Sequence, residues 1–287
     1  MCGIAGIISN KRNIANDLDL IAKDLFHRGP DNTSFFVKNN IGLLHTRLSI
    51  IDLSKNGNQP LKDESNRYVI TYNGELYNFL ELKENLIKKG YIFKTKTDTE
   101  VVLNGFIEDG YSFFNKINGF YSICIYDTVK KELILTRDPC GKKPLYYSLI
   151  NNELFFASEI KPILRLLKTI PLANYEGLSH YLWKGYYVDK NSAYSEIFSL
   201  LPGEIIKISA DKDTLKVISD GQSNQVKLSI NDNFDLRNIE DIYFELTKSI
   251  ENRLISDVPI SFLLSGGIDS SLISQAASEL VGKNIST

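Results

Sequence analysis

The sequence predicts an α+β protein of antiparallel strands, followed by the opening of a separate βα unit. Apolar runs of strand length, broken by Asn- and Gly-rich turns, occupy residues 35–72 and 120–157. Between and before them lie stretches of helical period, such as Asn13 to Phe26 with Ile14, Leu18, Ile21 and Leu25 on one face. Near the far end an apolar run, a glycine pair and a helical stretch succeed one another, the order of a strand, a loop and a helix.

Taken in order, Cys2 to Ser9 is a short apolar run that reads as a buried strand, and Gly29-Pro30 stops the first helix. Phe35 to Val37, Ile41 to Leu48 and Tyr68 to Tyr72 read as strands, with Lys55-Asn56-Gly57-Asn58 as a turn. Glu75 to Lys89 reads as a helix ended by Gly90, and Asp98 to Phe114 as another, capped from Thr97. Tyr121 to Tyr126, Glu132 to Thr136, Leu145 to Leu149 and Leu154 to Ala157 read as antiparallel hairpins. A last pair, Gly203 to Ser209 and Leu215 to Ser219, precedes a polar stretch from Asp220 to Asp232. The expected domains are 1–210, a linker over 211–234, and 235–287. In the second, Ile242, Leu246, Ile250 and Leu254 recur at helical spacing, Val258 to Leu264 reads as a buried strand, and Ser270 to Leu280 as a helix.

The 287 residues are 43% hydrophobic and 24% charged, which supports a packed core and excludes a disordered or fibrous chain. Lys and Arg number 33 against 35 Asp and Glu, so bulk charge gives no reason to expect a nucleic acid or an anionic membrane as partner. Cys2, Cys124 and Cys140 are too few and too scattered for a disulfide framework, which fits a reducing cytoplasm. No basic residue precedes the first apolar run, and no run nears the ~20 residues that span a bilayer. A soluble, cytoplasmic protein is expected.

Removal of Met1 would place the Cys2 thiol beside a free α-amine, whose ordinary pKa of about 7.7–8.0 leaves it partly neutral at cellular pH. Such an amine can take the thiol proton, directly or through water, without a histidine partner. Against this stands the plain reading of Cys2 as a small buried hydrophobe. Asn73-Gly74 lies where a strand meets a helix, so an amide and a backbone N–H can converge as an oxyanion hole requires, although Asn-Gly alone is more often a turn. Arg47 could clamp a carboxylate, and Glu75 and Asp98 could accept from an ammonium group. Each could equally be a solvated surface residue. A Cys–His pair is the competing scheme, with His27 ahead of His45 and His180. No Cys/His spacing resembles a zinc site.

Together these segments resemble a family. Met-Cys-Gly-Ile-Ala-Gly-Ile at the start, His27-Arg28-Gly29-Pro30-Asp31, Arg47-Leu48-Ser49-Ile50-Ile51-Asp52, Tyr72-Asn73-Gly74-Glu75-Leu76-Tyr77-Asn78 and Thr97-Asp98-Thr99-Glu100 are similar to the motifs of class II glutamine amidotransferases. The resemblance runs to about Leu201 and implies an N-terminal-nucleophile hydrolase with four αββα layers. It implies Cys2 as nucleophile, Asn73 and Gly74 as the oxyanion hole, and Arg47, Glu75 and Asp98 holding the amino-acid end of glutamine. Leu48, Ile50 and Ile51 would line the site partly through backbone groups. Thr97 stands where many relatives have Ser, and Cys140 where a larger apolar residue is usual.

Ser265-Gly266-Gly267-Ile268-Asp269-Ser270-Ser271 after an apolar run presents N–H groups and hydroxyls to a helix N-terminus, a geometry suited to pyrophosphate. Two adjacent glycines are a weak signal alone, and a Walker loop is excluded by its missing lysine and spacing. The full string resembles the pyrophosphate loop of ATP pyrophosphatases, and Ser256-Asp257-Val258-Pro259 that of the glutamine-hydrolysing asparagine synthases. This implies Leu264 at the adenine, Ser265, Gly266, Gly267 and Ser270 at the phosphates of ATP, and Asp269 as a candidate Mg2+ ligand.

The expectation is thus a glutaminase domain plus the opening of a synthetase domain, with glutamine, ATP and aspartate as small-molecule partners and a homodimer as a candidate assembly. The loop at Ser265 argues against other class II enzymes, and the nucleophile against β-lactam synthetase relatives. Two rivals stand beside it: a related amidotransferase acting on another carboxylate in surface-sugar or peptide biosynthesis, and a non-catalytic glutamine-binding fragment. The chain is expected to be one complete domain and part of a second.

Overall fold

The computed structural model describes residues 1–209, 215–222, 239–282 and 284–287. The described elements run β1 (Gly3–Ile8), α1 (Ile14–Leu25), β2 (Asn32–Lys38), β3 (Ile41–Arg47), β4 (Leu61–Lys62), β5 (Tyr68–Leu76), α2 (Phe79–Lys88) and α3 (Asp98–Asp109). They continue β6 (Gly119–Asp127), β7 (Glu132–Arg137), β8 (Tyr146–Ile150), β9 (Glu153–Ala157), α4 (Ile160–Leu167), α5 (Tyr175–Lys184), β10 (Phe198–Ser199), β11 (Glu204–Ser209) and β12 (Lys216–Gln222). Last come α6 (Ile239–Asn252) and α7 (Ile268–Val281). Two compact units divide these residues: Met1–Ser49 with Ser54–Val226, and Ile50–Leu53 with Lys227–Thr287.

The first unit holds two six-stranded sheets, ordered β10-β8-β9-β1-β3-β2 and β12-β11-β7-β6-β5-β4. Every pairing within them is antiparallel, as hairpin connections dictate. Asn39, Lys131, Asn151 and Asn152 turn the hairpins with positive φ, which explains the Asn-rich turns in the sequence. Ile4, Ile8 and Leu43 of one sheet pack on Val69, Leu133 and Leu135 of the other, forming the inner core. Residues of opposite parity, Ala5, Ile7 and Leu44, face outward onto Leu18, Ile21 and Leu25 of α1 and Ile163 and Leu166 of α4. Helix α3 lies on the outer face of β5. The layers are therefore αββα, and the amphipathic face read for α1 is the one that is buried.

Two readings differ from expectation. The strand read as ending at Tyr72 continues to Leu76, so Glu75 lies opposite Phe120 of β6 rather than in a helix. Cross-strand pairing to β6 outweighs the helical period there, and the helix begins only at Phe79. Thr97 is the N-cap residue of α3, but its side chain makes no capping bond and meets the Thr95 hydroxyl instead. Glu100 takes the neighbouring loop N–H groups of Lys94 and Thr95, at 2.9 and 2.7 Å. The segment 211–234, expected as a linker, lies partly outside the described residues; β12 within it pairs with β11, in keeping with the strand read at Leu215 to Ser219.

In the second unit Ile250, Ala276 and Ala277 are buried against Leu246, Phe262 and Ile285, joining α6 to α7. The buried strand expected over Val258 to Leu264 is replaced by one parallel bridge, Ser261 to Ser286. Leu263 is 94% exposed. A parallel strand needs partners on its edges and cover on both faces, and among the described residues only this bridge pairs with the run, while Phe262 packs on α6 and α7.

Candidate functional site

The N-terminus of β1 carries Cys2, whose backbone is held from the side. Arg28 Nε donates to the Cys2 carbonyl at 2.9 Å, and Arg28 Nη1 to Glu159 Oε1 at 2.9 Å. His27 Nε2 meets the same carboxylate at 2.9 Å, which places the imidazole on Glu159 rather than on the thiol. The Cys–His scheme with His27 therefore has no geometric support. The Cys2 thiol donates to the Leu48 carbonyl at 3.5 Å and accepts from the Leu48 N–H at 3.4 Å. Leu48 thus reaches the thiol through its backbone.

Residues of β3 that share the inward parity of Leu43 are His45 and Arg47. Arg47 is buried at the strand's end, and its Nη1 donates to the Ser54 carbonyl at 2.7 Å and to Asn58 Oδ1 at 2.9 Å. A Cβ at Gly57 would come within 2.2 Å of Arg47 Nη2, so only glycine lets this loop wrap the guanidinium. Burial pushes the His45 imidazole down to about 3, leaving it neutral, and its ring lies against the Tyr72 carbonyl short of hydrogen-bond geometry.

Across the core, Val69 fixes the inward parity of β5, which Asn73 and Glu75 share. Asn73 is 1% exposed, and among the described residues its Nδ2 donor has no hydrogen-bond partner. A buried amide without a partner costs roughly 1–3 kcal/mol, which a bound acceptor would relieve. Gly74 is enforced by packing: a Cβ there would stand 2.5 Å from the Phe120 carbonyl and 2.6 Å from the Tyr72 ring.

Asp98 opens α3. Its Oδ2 accepts from the Tyr72 hydroxyl and the Leu76 N–H, each at 2.9 Å. Burial outweighs those bonds and, with Glu75 nearby, raises the carboxyl from 3.8 to about 6. The same burial drives the Tyr72 hydroxyl well above 10, so it stays a donor. At the nucleophile, burial raises the Cys2 thiol, and burial lowers the terminal amine of Met1. Cys2 lies within electrostatic reach of Arg47 and Asp98, Asp98 within reach of Glu75, and Asn73 sits on the strand between Tyr72 and Glu75.

Ile50 and Ile51 group with the second unit, where the Ile50 carbonyl accepts from Asp257 N–H at 3.0 Å and Asp257 Oδ2 accepts from Asp52 N–H at 2.7 Å. In that unit Gly266, at φ +81°, turns the loop into α7. The Ser270 hydroxyl accepts from Ser265 N–H at 3.2 Å and donates to the Gly267 carbonyl at 3.1 Å. Leu264 and the loop residues that follow it are exposed, and Asp269 lies in the first turn of the helix. Among the described residues no group of three His, Cys, Asp or Glu side chains is placed to hold a metal ion, and no helix is long and apolar enough to cross a membrane.

The family described as glutamine amidotransferase domain matches residues 1–218, and that described as asparagine synthase matches residues 242–287. The chain is 34% identical over 286 residues to asparagine synthetase [glutamine-hydrolyzing] 1 of Bacillus subtilis, covering 97% of this chain and 44% of that protein. It is 32% identical to asparagine synthetase [glutamine-hydrolyzing] 2 of the same organism, covering 97% of this chain and 39% of that protein. The chain therefore spans less than half the length of these relatives. Among solved structures, the glutamine phosphoribosylpyrophosphate amidotransferase of B. subtilis, complexed with ADP and GMP, superposes with a TM-score of 0.58 at 19% identity. That alignment covers 98% of this chain and 64% of that one, and it speaks to the fold alone.

Proposed function

The chain belongs to the glutamine amidotransferase domain family, and we propose from that premise that its first unit hydrolyses glutamine through a thioester on Cys2. The observation that carries the reading is the Asn73 Nδ2 donor, buried and without a partner among the described residues, on the strand that also bears Glu75. A tetrahedral oxyanion formed at the substrate amide would supply that missing acceptor, together with the Gly74 N–H. Arg47 binds the substrate carboxylate, and Glu75 and Asp98 its ammonium group.

Once Met1 is removed, the amine of Cys2 is the general base. Burial raises the Cys2 thiol, so the resting sulfur is the neutral thiol, while a free α-amine of ordinary pKa about 7.7–8.0 is partly neutral at cellular pH. The proton therefore moves to the amine as sulfur attacks the amide carbon. The ammonium so formed protonates the departing nitrogen, releasing ammonia and leaving the glutamyl thioester. Water, deprotonated by the same amine, then attacks the thioester and yields glutamate and the free thiol.

The second unit is proposed to begin an ATP-binding domain that uses this ammonia to convert aspartate to asparagine through an acyl-adenylate. The phosphates would meet Ser265, Gly266, Gly267 and Ser270 at the N-terminus of α7, with the adenine near Leu264. Asp269 alone does not make a magnesium site, so no step is assigned to a metal. Aspartate as acceptor, Mg2+ accompanying ATP, a cytoplasmic location and a homodimeric assembly belong to this proposal.

Two measurements test it. Mass spectrometry of the active protein should find Cys2 at the N-terminus, and retention of Met1 in active molecules would overturn the mechanism. Glutamine-dependent glutamate release should fall by roughly 10⁴-fold or more in Cys2→Ala, and equal activity in that variant would refute the nucleophile.

A further inference from the structure

Gln59 has no part in the reaction described above, yet its side chain is buried and uses its carboxamide three times. Its Oε1 accepts from the Tyr72 N–H at 2.6 Å. Its Nε2 donates to the Tyr72 carbonyl at 3.2 Å and to Thr99 Oγ1 at 3.1 Å. The register explains why a side chain does this. Leu61 pairs with Ile70 and Lys62 with Val69, so the antiparallel ladder, continued, would set Pro60 opposite Thr71 and Gln59 opposite Tyr72. The Gln59 backbone does not take that place, and its carbonyl accepts from the Ser34 hydroxyl instead. The Gln59 amide stands in for the peptide group and extends the ladder to the residue before Asn73.

The same amide closes a ring. Tyr72 donates its hydroxyl to Asp98, Asp98 is joined to Thr99, and Thr99 returns to Gln59. One edge of the ring is the strand that carries Asn73 and Gly74, and the other is the first turn of α3 that carries Asp98. On the proposed reading these bind the two ends of one glutamine molecule, whose reacting amide and ammonium group are a fixed number of bonds apart. We propose that Gln59 is a positioning residue that sets the spacing between the oxyanion donors and the ammonium-binding carboxylate. It rests on the glutaminase reading. Misplacing reacting groups by about 1 Å costs about 10²-fold in rate.

The test uses the full chain with Met1 removed. Gln59→Leu, which keeps the volume and loses all three bonds, should lower kcat/KM for glutamine by about 30- to 100-fold, with the far-UV spectrum unchanged. In an Asn73→Ala background the same substitution should cost less than about threefold, because the group it positions is gone. Gln59→Glu keeps the Oε1 acceptor and loses the amide donor, and its activity relative to wild type should rise as the pH falls, when the carboxyl regains a proton to donate. Should Gln59→Leu not fold, that pH ratio decides alone, and a flat ratio overturns the proposal. Activity of Gln59→Leu within threefold of wild type, or an equal loss in the Asn73→Ala background, overturns it as well. Amide exchange separates this from the glutaminase reading. The Tyr72 N–H should exchange faster in Gln59→Leu even if no protein releases glutamate, and an unchanged rate there refutes the anchor itself.

Discussion

The site around Cys2 and the loop after Leu264 were read from motifs of similar length, but they are built differently. At Cys2 the bonds join distant parts of the chain: Arg28 holds the Cys2 carbonyl, Leu48 flanks the thiol, and Asp98 ties Tyr72 to Leu76. At Ser265 every side-chain bond spans at most five residues and is exposed. A site made of long-range buried bonds inherits the rigidity of the core, and its groups are preorganised. A site made of local bonds has only the geometry of its own turn. The difference shows that a motif specifies residue types, whereas its surroundings specify how firmly they are aimed.

The strongest way to break the comparison is at Asn73. If its unpartnered amide is aimed by the core at a developing oxyanion, Asn73→Ala should lower kcat for glutamine hydrolysis by about 10²–10³-fold and leave KM nearly unchanged. A rise in KM at constant kcat would instead make Asn73 an ordinary binding group, and the claim of preorganisation would fail.

Asp98 sharpens the comparison by a smaller amount. Its carboxyl is raised from 3.8 to about 6, chiefly by burial. In the window between those values the folded chain holds a proton that the unfolded chain has lost, so stability falls as pH rises through it. Above it the charged form costs on the order of 3 kcal/mol relative to an exposed carboxylate. Asp98→Asn should therefore be more stable than wild type at neutral pH, with the difference shrinking toward pH 4 in denaturant titrations. The same variant should bind glutamine worse by about 30-fold or more, because the ammonium group loses its buried partner. Loss of both stability and affinity would show that the carboxylate is structural.

Much of this was legible in sequence. Cys2, Arg47, Asn73, Gly74, Glu75 and Asp98 were named from motifs, and the α1 face and hairpins from periodicity. What failed had a physical cause in each case. Glu75 was read as helical because a cross-strand partner such as Phe120 is invisible to local pattern. Gln59 carried no signal at all, since it lies between a turn and a proline and acts only through the register of β4 on β5. The run from Val258 to Leu264 reads as buried because apolar content shows what a strand could cover, not what covers it: Phe262 packs against Ile250 and Ala276, whereas Leu263 is exposed.

That last point yields the smallest effect and the cleanest contrast between the regions. Ile8 lies 1% exposed between the two sheets, and Ile8→Ala should cost about 2–5 kcal/mol in reversible unfolding of the first unit. Leu263 is 94% exposed, so Leu263→Ser removes almost no apolar surface from a buried environment and should change stability by less than about 0.5 kcal/mol. The two residues belong to runs that look alike in sequence, each an apolar stretch of strand length. Denaturant titrations of both variants separate them. A cost above about 1 kcal/mol at Leu263 would mean that the run is packed as the sequence predicts. The loop at Ser265 would then be mounted on a buried strand, and the contrast with the Cys2 site would collapse.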